Sequence, residues 1–194
     1  MKLLVGLGNP GPQYARHRHN VGFMVADRLH ARAYGSEWRE KHVGLAARAV
    51  IAGHEVTLLK PQTFMNLSGR SVVRALQQMG LGIQDVLVVH DELELPFGEL
   101  RAKQGGGHGG HNGLRDIAAT AGVDFARVRV GIGRPAVGAV DAYVLSAFSK
   151  DEAPLVDGLL DRAADLCEAI LAQGVEAVLA KAAPAKKAAR PPRG

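Results

Sequence analysis

His19 and Asp91 are the strongest candidates for acid and base chemistry in this sequence. His19 comes just before an expected helix, and Asp91 directly follows the apolar run from Val86 to His90, which predicts a buried strand. In α/β sheets, ligand sites lie where strands end and helices begin. A carboxylate beside a histidine orients the ring and stabilises its protonated form. The chain has eight histidines, so other pairings stay open on this ground alone.

Nucleophilic side chains give little support for covalent catalysis. Ser68 lies in Leu67-Ser68-Gly69, without the GxSxG pattern of a nucleophile elbow, and we expect it to be a helix N-cap. Cys167 falls among apolar residues of an expected long helix, which favours a buried thiol. A single cysteine also excludes an internal disulfide, so we expect the protein in a reducing cytoplasm.

The first of two glycine clusters, Gly6 to Gly11, fits the GxGxxG pattern of dinucleotide-binding proteins. That pattern needs a helix to begin at once, so that its N-terminus meets a pyrophosphate. Here Pro10, Gly11 and Pro12 hold the chain in a loop until about Asn20, which is expected to cap the next helix. The context therefore argues against nucleotide binding.

The second cluster, Gly105 to Gly113, contains two histidines and an asparagine, which an ordinary linker does not need. Glycines let the backbone approach a ligand closely, and Asn112 stands where it either caps the following helix or faces a ligand. His108 and His111, with His90 and Asp91, also suggest a metal site. The sequence lacks HExxH and CxxC patterns, and a glycine-rich loop is a poor rigid cage, so we expect no metal.

Charge is distributed unevenly along the chain. Residues 1–74 hold eleven Lys and Arg against four Asp and Glu, whereas residues 141–180 hold two against eight. We therefore expect a basic side and an acidic side. Residues 181–194 add five basic side chains and no acid. A basic surface favours binding to nucleic-acid phosphates.

Strands and helices alternate along the chain and predict one α/β domain over residues 1–181. Its architecture would be a twisted mixed β-sheet covered by helices on its faces, because the interleaved pattern includes one hairpin. Residues 182–194, rich in Ala, Pro and Lys, predict a disordered basic tail. No apolar run approaches the roughly 20 residues of a membrane span, so no membrane association is expected. The expected strands are 2–7, 43–51, 55–59, 86–90 and 127–131, the expected helices are 20–34, 68–79, 112–120, 151–173 and 175–180, and residues 93–104 are expected to be extended with turns.

Six sequence blocks together carry a family resemblance. They are VGLGNPG at 5–11, Tyr14 followed by RHNVG at 18–22, KPQTFMNLSG at 60–69, VHDEL at 89–93, the glycine cluster at 105–113, and RVGIG at 129–133. In this order and near this spacing they resemble the bacterial-type peptidyl-tRNA hydrolase family over about residues 1–180. The Ala/Lys/Pro/Arg tail is not part of the family pattern.

This resemblance implies a monomeric, metal-free and cofactor-free enzyme that hydrolyses the ester between a peptide and the 3′ ribose of tRNA. Such an enzyme recycles tRNA from stalled or prematurely released peptidyl-tRNA by direct attack of water. By motif position, the resemblance implies a catalytic His19 with its carboxylate partner Asp91, active-site amides at Asn9, Asn66 and Asn112, a cleft lined by Tyr14, Asn20, Phe64 and Met65, His111 beside the acceptor end, and tRNA phosphate contacts at Lys103 and Arg129.

Three asparagines suit a substrate made of amide and ester groups, since each offers a donor and an acceptor. Any one of them fits the developing oxyanion. Two rival functions stay open: an RNA-binding module without catalysis, and a metal-dependent hydrolase. The first predicts binding without ester cleavage, and the second predicts loss of activity on chelation.

Overall fold

The computed structural model describes residues 1–182, in which seven strands form one mixed sheet. The strands are β1 (Leu3–Gly6), β2 (Arg39–Lys41), β3 (Gly44–Ile51), β4 (His54–Pro61), β5 (Val86–Glu92), β6 (Leu100–Gln104) and β7 (Ala126–Gly131). They follow the order β2-β3-β4-β1-β5-β7-β6 across the sheet. The central strands β4, β1, β5 and β7 are parallel, while the pairs β2–β3, β3–β4 and β6–β7 are antiparallel.

Helices cover both faces of this sheet, which confirms the predicted α/β architecture. They are α1 (Val21–Arg32), α2 (Ser68–Met79), α3 (Asn112–Ala121), α4 (Val140–Val144), α5 (Ala153–Gln173) and α6 (Val175–Ala182). α1 and α5 share one apolar core with the sheet, and α2 and α3 share the other. No helix within residues 1–182 is long and apolar enough to cross a membrane.

The central strands are apolar on both faces because both faces are buried. In β1, Leu4 packs against α1 and α5, whereas Leu3 and Val5 pack in the core with α2 and α3. β5 follows the same alternation and pairs with β1 in parallel, Gly6 opposite Val89. The carboxyl ends of the two strands therefore meet at one edge of the sheet.

Two glycines let α1 begin directly against that edge. A Cβ atom on Gly22 would lie 2.4 Å from the carbonyl oxygen of Val89, and one on Gly6 would lie 2.2 Å from that of Gly22. Neither contact is tolerable, so both positions require glycine. The Phe23 amide donates to the Leu7 carbonyl at 3.2 Å across the same contact. This close approach places the turn before α1 beside the end of β5.

Several predicted elements match the structure closely. α2 spans 68–79 as predicted and ends at Gly80, which adopts the left-handed conformation at φ 65° and ψ 37°. The predicted hairpin is formed by β3 and β4. Two elements were not predicted: β2 has three exposed residues, and α4 has five residues in a stretch rich in Gly and Ala. Neither is long enough to show a periodic pattern.

Three predicted helix caps are wrong. Ser68 is the first residue of α2, and its hydroxyl donates to the Met65 carbonyl at 2.8 Å instead of capping the helix. Asn20 precedes α1, but its side chain binds the backbone of Asn9 instead of capping the helix. Asn112 is the first residue of α3, and the capping side chain is His111, whose Nδ1 accepts from the Leu114 amide at 3.4 Å. For Asn20, a partner elsewhere in the fold decides the role of the side chain.

The predicted separation into a basic and an acidic side is only partial. Carboxylates on α5 face Arg28 and Arg32 of α1, which belong to the basic first third of the chain, and each of these arginines bridges more than one acid. Exposed pairs of this kind contribute little individually to stability. The acids involved are Asp157, Asp161, Asp165 and Glu168. Of the predicted tail, only Ala182 lies within the described residues, where it ends α6.

Candidate active site

A cleft of about 460 Å³ opens at the carboxyl edge of the sheet. The ends of β1 and β5, the segment before α2, the glycine-rich loop before α3, and α4 all contribute to its walls. Predicted site residues that line it are Asn9, His19, Phe64, Met65, Asn66, Asp91, His111 and Asn112. The structure therefore brings most of the predicted site together from five separate segments.

His19 and Asp91 form a buried hydrogen-bonded pair in this cleft. Nδ1 of His19 lies 2.9 Å from both Oδ1 and Oδ2 of Asp91. Because an ionised carboxylate only accepts, Nδ1 carries the proton that it donates, and Nε2 is the basic nitrogen. Nε2 has no hydrogen-bond partner within residues 1–182, and the His19 ring lines the cleft. The geometry leaves a base facing the site where substrate would bind.

A second histidine donates to the same carboxylate. Nε2 of His111 lies 2.9 Å from Oδ1 of Asp91, while its Nδ1 accepts the Leu114 amide of α3. Because Nδ1 accepts this hydrogen bond, the ring proton of His111 is on Nε2. Two N–H groups therefore converge on Asp91. The ring centroids of His19 and His111 are 4.9 Å apart. Asp91 is thus fixed from two sides, once by the turn before α1 and once by the start of α3.

The two members of the pair shift each other's ionisation. Burial raises the pKa of Asp91, but the charges and hydrogen bonds of His19 and His111 outweigh it and hold that pKa far below its usual range. For His19, burial lowers the pKa, but the charge and hydrogen bond of Asp91, together with the charge of Asp141, raise it above the ordinary histidine value. Asp91 therefore stays ionised, and His19 is the member of the pair that gains or loses a proton.

His90, which the sequence placed among candidate metal ligands, is a buried neutral residue. Its Nδ1 donates to the carbonyl of Asp91 at 2.7 Å, and burial and the neighbouring His111 lower its pKa to about 3. Its ring packs edge-on against His111, with centroids 5.1 Å apart. His90 thus buttresses the ring that holds Asp91.

The ligand atoms of His19, Asp91 and His111 lie within 4.8 Å of one another, a grouping that also suits a metal ion. The protons on these nitrogen atoms indicate a hydrogen-bonded triad instead of a metal site. Each histidine nitrogen that faces Asp91 lies at hydrogen-bond distance from it and carries a proton. A ring nitrogen must lose that proton to bind a metal. His108, also proposed as a ligand, lines the cleft outside this group.

Asn9 is locked into one orientation by its neighbours. Its backbone N–H donates to Oδ1 of Asn20 and its carbonyl accepts from Nδ2 of Asn20, both at 2.9 Å. Its own Oδ1 accepts the Met65 amide at 2.7 Å. Because that oxygen is occupied, the Nδ2 group is the part of the Asn9 amide left to donate to a ligand. Asn20 therefore acts as a brace behind the cleft.

The remaining predicted lining residues differ in how they are held. Phe64 is 59% exposed at the rim. Asn66 and Asn112 are exposed and make no side-chain hydrogen bond to another residue within 1–182, so both amides are open to a ligand. Tyr14 is not among the residues that line the cleft. It lies in the short 3-10 helix Pro12–Tyr14, with its ring against His17 at 5.5 Å.

One face of β6 and β7 beside the glycine-rich loop carries four cations: Arg101, Lys103, Arg127 and Arg129. Lys103 pairs in register with Arg127, and Arg129 lies two residues further along β7 on the same face. Nε of Arg129 donates to Glu92 at 2.9 Å, while its two terminal nitrogens bind no described residue. Burial, then the charges of Arg127 and Arg129, lower the pKa of Lys103. Arg129 is thus paired with Glu92, whereas Lys103 forms no ion pair with a described residue.

Comparison with known proteins shows which family this chain belongs to. The peptidyl-tRNA hydrolase family model matches residues 3–190. A peptidyl-tRNA hydrolase of Geobacter sulfurreducens is 51% identical over 175 residues, covering 90% of this chain and 91% of that protein. One from a Methylobacterium species is 51% identical over 178 residues, covering 91% and 87%. This chain belongs to the peptidyl-tRNA hydrolase family. The crystal structure of the Acinetobacter baumannii peptidyl-tRNA hydrolase superposes with a TM-score of 0.85 at 41% identity, covering 93% of this chain and 92% of that one.

Sequence reasoning missed two arginines that support the site of this family member. Arg18 is buried and donates to Ser146 Oγ at 2.7 Å and to Glu152 at 2.6 Å, with its guanidinium 4.2 Å from the Tyr143 ring centre. It thus ties the His19 turn to the segment that carries α4. Arg127 is buried and donates to the carbonyls of Gly105 and Gly107. Alternation of Arg with Val in β7 was the available signal for Arg127, and the RHNVG block at 18–22 was the available signal for Arg18.

Proposed function

We propose that this protein hydrolyses the ester between a peptide, or an N-blocked amino acid, and the 3′ ribose of tRNA. The observation that carries the proposal is the buried His19–Asp91 pair, whose free Nε2 lines a cleft rich in amides, in a chain of the peptidyl-tRNA hydrolase family. The products are a free peptide and a tRNA that can be charged again. The enzyme would thereby recycle tRNA from stalled or prematurely released peptidyl-tRNA.

In the proposed mechanism, neutral His19 removes a proton from a water molecule as that water attacks the ester carbonyl. Asp91 holds the ring and stabilises the imidazolium that forms. The tetrahedral intermediate then collapses, the bond to the ribose 3′ oxygen breaks, and the proton on Nε2 passes to that oxygen. His19 returns to its neutral form without any covalent intermediate.

The side chains that would serve as covalent nucleophiles are poorly placed for that role. Ser68 is buried and donates to the Met65 carbonyl at 2.8 Å. Cys167 is buried in the core with α1 and α5, and burial raises the pKa of its thiol. Both observations support direct attack by water on an ester, whose leaving group is good enough to need no acyl-enzyme.

Asn9 is the best-placed donor for the developing oxyanion. Its Oδ1 is fixed by the Met65 amide and its backbone by Asn20, so its Nδ2 is held in place before substrate binds. A preorganised donor of this kind contributes about 3 kcal/mol to transition-state stabilisation. The open amides of Asn66 and Asn112 would hold the peptide backbone, which allows substrates of any sequence.

Lys103 and Arg129 would bind phosphate at the tRNA end of the substrate. Arg127 holds the backbone of the glycine-rich loop, and Glu92 fixes Nε of Arg129 so that its terminal nitrogens are free. Contacts to phosphate set the position of tRNA without reading base sequence. This matches an enzyme that acts on many tRNAs.

Lys103→Ala and Arg129→Ala are each expected to raise KM for N-acetyl-aminoacyl-tRNA and to reduce the dependence of log KM on log salt by about one unit or less. Hydrolysis of a small ester substrate should change little. Arg48→Ala is the matched control, because it removes one exposed cation from β3 near the opposite edge of the sheet. Equal loss on both substrates would contradict a phosphate-binding role.

Hydrolysis of N-acetyl-aminoacyl-tRNA in excess EDTA tests the proposal against both rivals. We expect tRNA release at the same rate with and without chelator. Loss of activity in EDTA, restored by a divalent metal, would favour the metal-dependent hydrolase. Binding of tRNA without cleavage would favour the RNA-binding module. We also propose that the protein is a monomer and works in the cytoplasm, where translation supplies the substrate.

A further inference from the structure

A second cavity of about 350 Å³, here called the proline groove, lies beside the active-site cleft. Its apolar lining includes Pro10, Pro12, Ala15, Phe23 and Met24, and Asn9 lines both the groove and the cleft. The two cavities therefore share, as a common lining residue, the one that would bind the oxyanion. The proposed mechanism assigns no ligand to this groove.

The groove is held open by contacts that also fix the active site. The reciprocal bonds between Asn9 and Asn20 form part of its wall. Gly8 packs directly on the Phe23 ring, since a Cβ atom there would lie 2.7 Å from a ring carbon. The short 3-10 helix Pro12–Tyr14 adds a segment whose prolines restrict the backbone. A ligand would thus enter a groove that is already formed.

Charge in the groove is neutralised internally. Of the described residues that line it, only Asp27 and Lys60 carry charge, and Nζ of Lys60 lies 2.5 Å from Oδ1 of Asp27. Lys60 also lies over the Trp38 ring at 4.3 Å. An apolar groove without a free cation is a poor site for phosphate and a suitable one for uncharged peptide.

Strand order places the groove on the opposite side of the catalytic pair from the phosphate-binding cations. The groove lies past the carboxyl ends of β4 and β1, Asp91 lies at the end of β5, and Arg129 and Lys103 lie on β7 and β6. A peptidyl-tRNA has the same linear order: peptide, ester, nucleic acid. With the ester at His19 and tRNA toward β6, the peptide is directed toward β1 and β4.

We propose that the proline groove binds the peptide portion of the substrate, upstream of the esterified residue. The inference rests on the proposed function and adds a second contact surface to it. Apolar peptides would bind better than acidic ones, but no position would be read strictly, because the groove is open and its two charged residues, Asp27 and Lys60, are paired with each other. An N-acetylated single amino acid would be too short to use it fully.

The test compares kcat/KM for tRNA carrying a tetrapeptide with apolar side chains against the same tRNA carrying an N-acetyl-amino acid. For wild type we expect the longer substrate to be preferred. Ala15→Asp introduces a carboxylate at an exposed groove position and should lower the ratio of long to short substrate about tenfold. Ala172→Asp, an exposed position on α5, is the matched control and should leave the ratio unchanged.

Each other outcome has a distinct meaning. An unchanged ratio in Ala15→Asp, with both substrates hydrolysed, would overturn the peptide assignment. An equal loss of kcat/KM on both substrates would mean that the substitution acts at the ester. That result would also overturn the peptide assignment. Weaker binding of deacylated tRNA by Ala15→Asp would show that the groove serves nucleic acid instead. If wild type cleaved neither substrate, the proposed function itself would fail, which is a different result from a failed groove.

Discussion

Replacing His19 by alanine is expected to lower kcat/KM for N-acetyl-aminoacyl-tRNA at least about 100-fold, while tRNA binding persists. The ring supplies the only described group that combines a carboxylate partner with a free basic nitrogen facing the cleft. Alanine leaves water without a base, but the amides and cations that hold the substrate are untouched. Steady-state kinetics and a filter-binding assay with deacylated tRNA measure the two effects separately.

His54→Ala is the matched control, because it removes an exposed histidine from the β3–β4 hairpin, away from the cleft. Its rate should equal that of wild type. A His19→Ala enzyme with near-normal turnover would remove His19 from the mechanism. Loss of tRNA binding in parallel with turnover would indicate damage to the fold rather than to the chemistry.

Asp91→Asn is expected to reduce kcat by about 100-fold or more while preserving volume at the site. Two N–H groups, from His19 and His111, converge on Asp91 at 2.9 Å. An amide puts an NH2 donor at one of the two carboxylate oxygen positions, where it faces the N–H of His19 in one orientation and that of His111 in the other. Either the His19 proton moves to Nε2, which removes the base, or His111 loses its bond. The amide also cannot balance an imidazolium.

A double-variant comparison makes this prediction sharper. If Asp91 acts through His19, adding Asp91→Asn to His19→Ala should cost much less than it costs alone. Additive losses would mean that Asp91 has a separate task. Asp151→Asn, at an exposed position before α5, controls for the same chemical change and should retain full activity.

The sequence predicts much of this fold because local patterns and burial agree. α2 shows an amphipathic repeat followed by glycine, and the bounds at 68–79 follow from these two features. β1 and β5 are continuous apolar runs because both faces of the sheet are covered. α4 and β2 were missed, since neither is long enough to show periodicity.

The residues of the candidate site were easier to predict from the sequence than the contacts between them. His19 and Asp91 lie at the start of a helix and the end of a strand, which made their meeting foreseeable. The bonds of Asn20 to Asn9 and of His111 to Asp91 join residues 11 and 20 positions apart, so no local rule reveals them. Local capping rules predicted that Asn20 caps α1, but its side chain forms tertiary hydrogen bonds to Asn9 instead.

The pH dependence of kcat/KM tests the central claim, that His19 held by Asp91 is the base for ester hydrolysis. Asp91 raises the pKa of His19, so the neutral form is lost at a higher pH than for an ordinary histidine, whose pKa is about 6.5. Activity should therefore rise with pH through a single ionisation above that value, and the carboxylate should add no second step because its pKa lies far below this range. The residual activity of Asp91→Asn should rise at lower pH than that of wild type. A flat profile, or an identical ionisation in His19→Ala, would contradict the account.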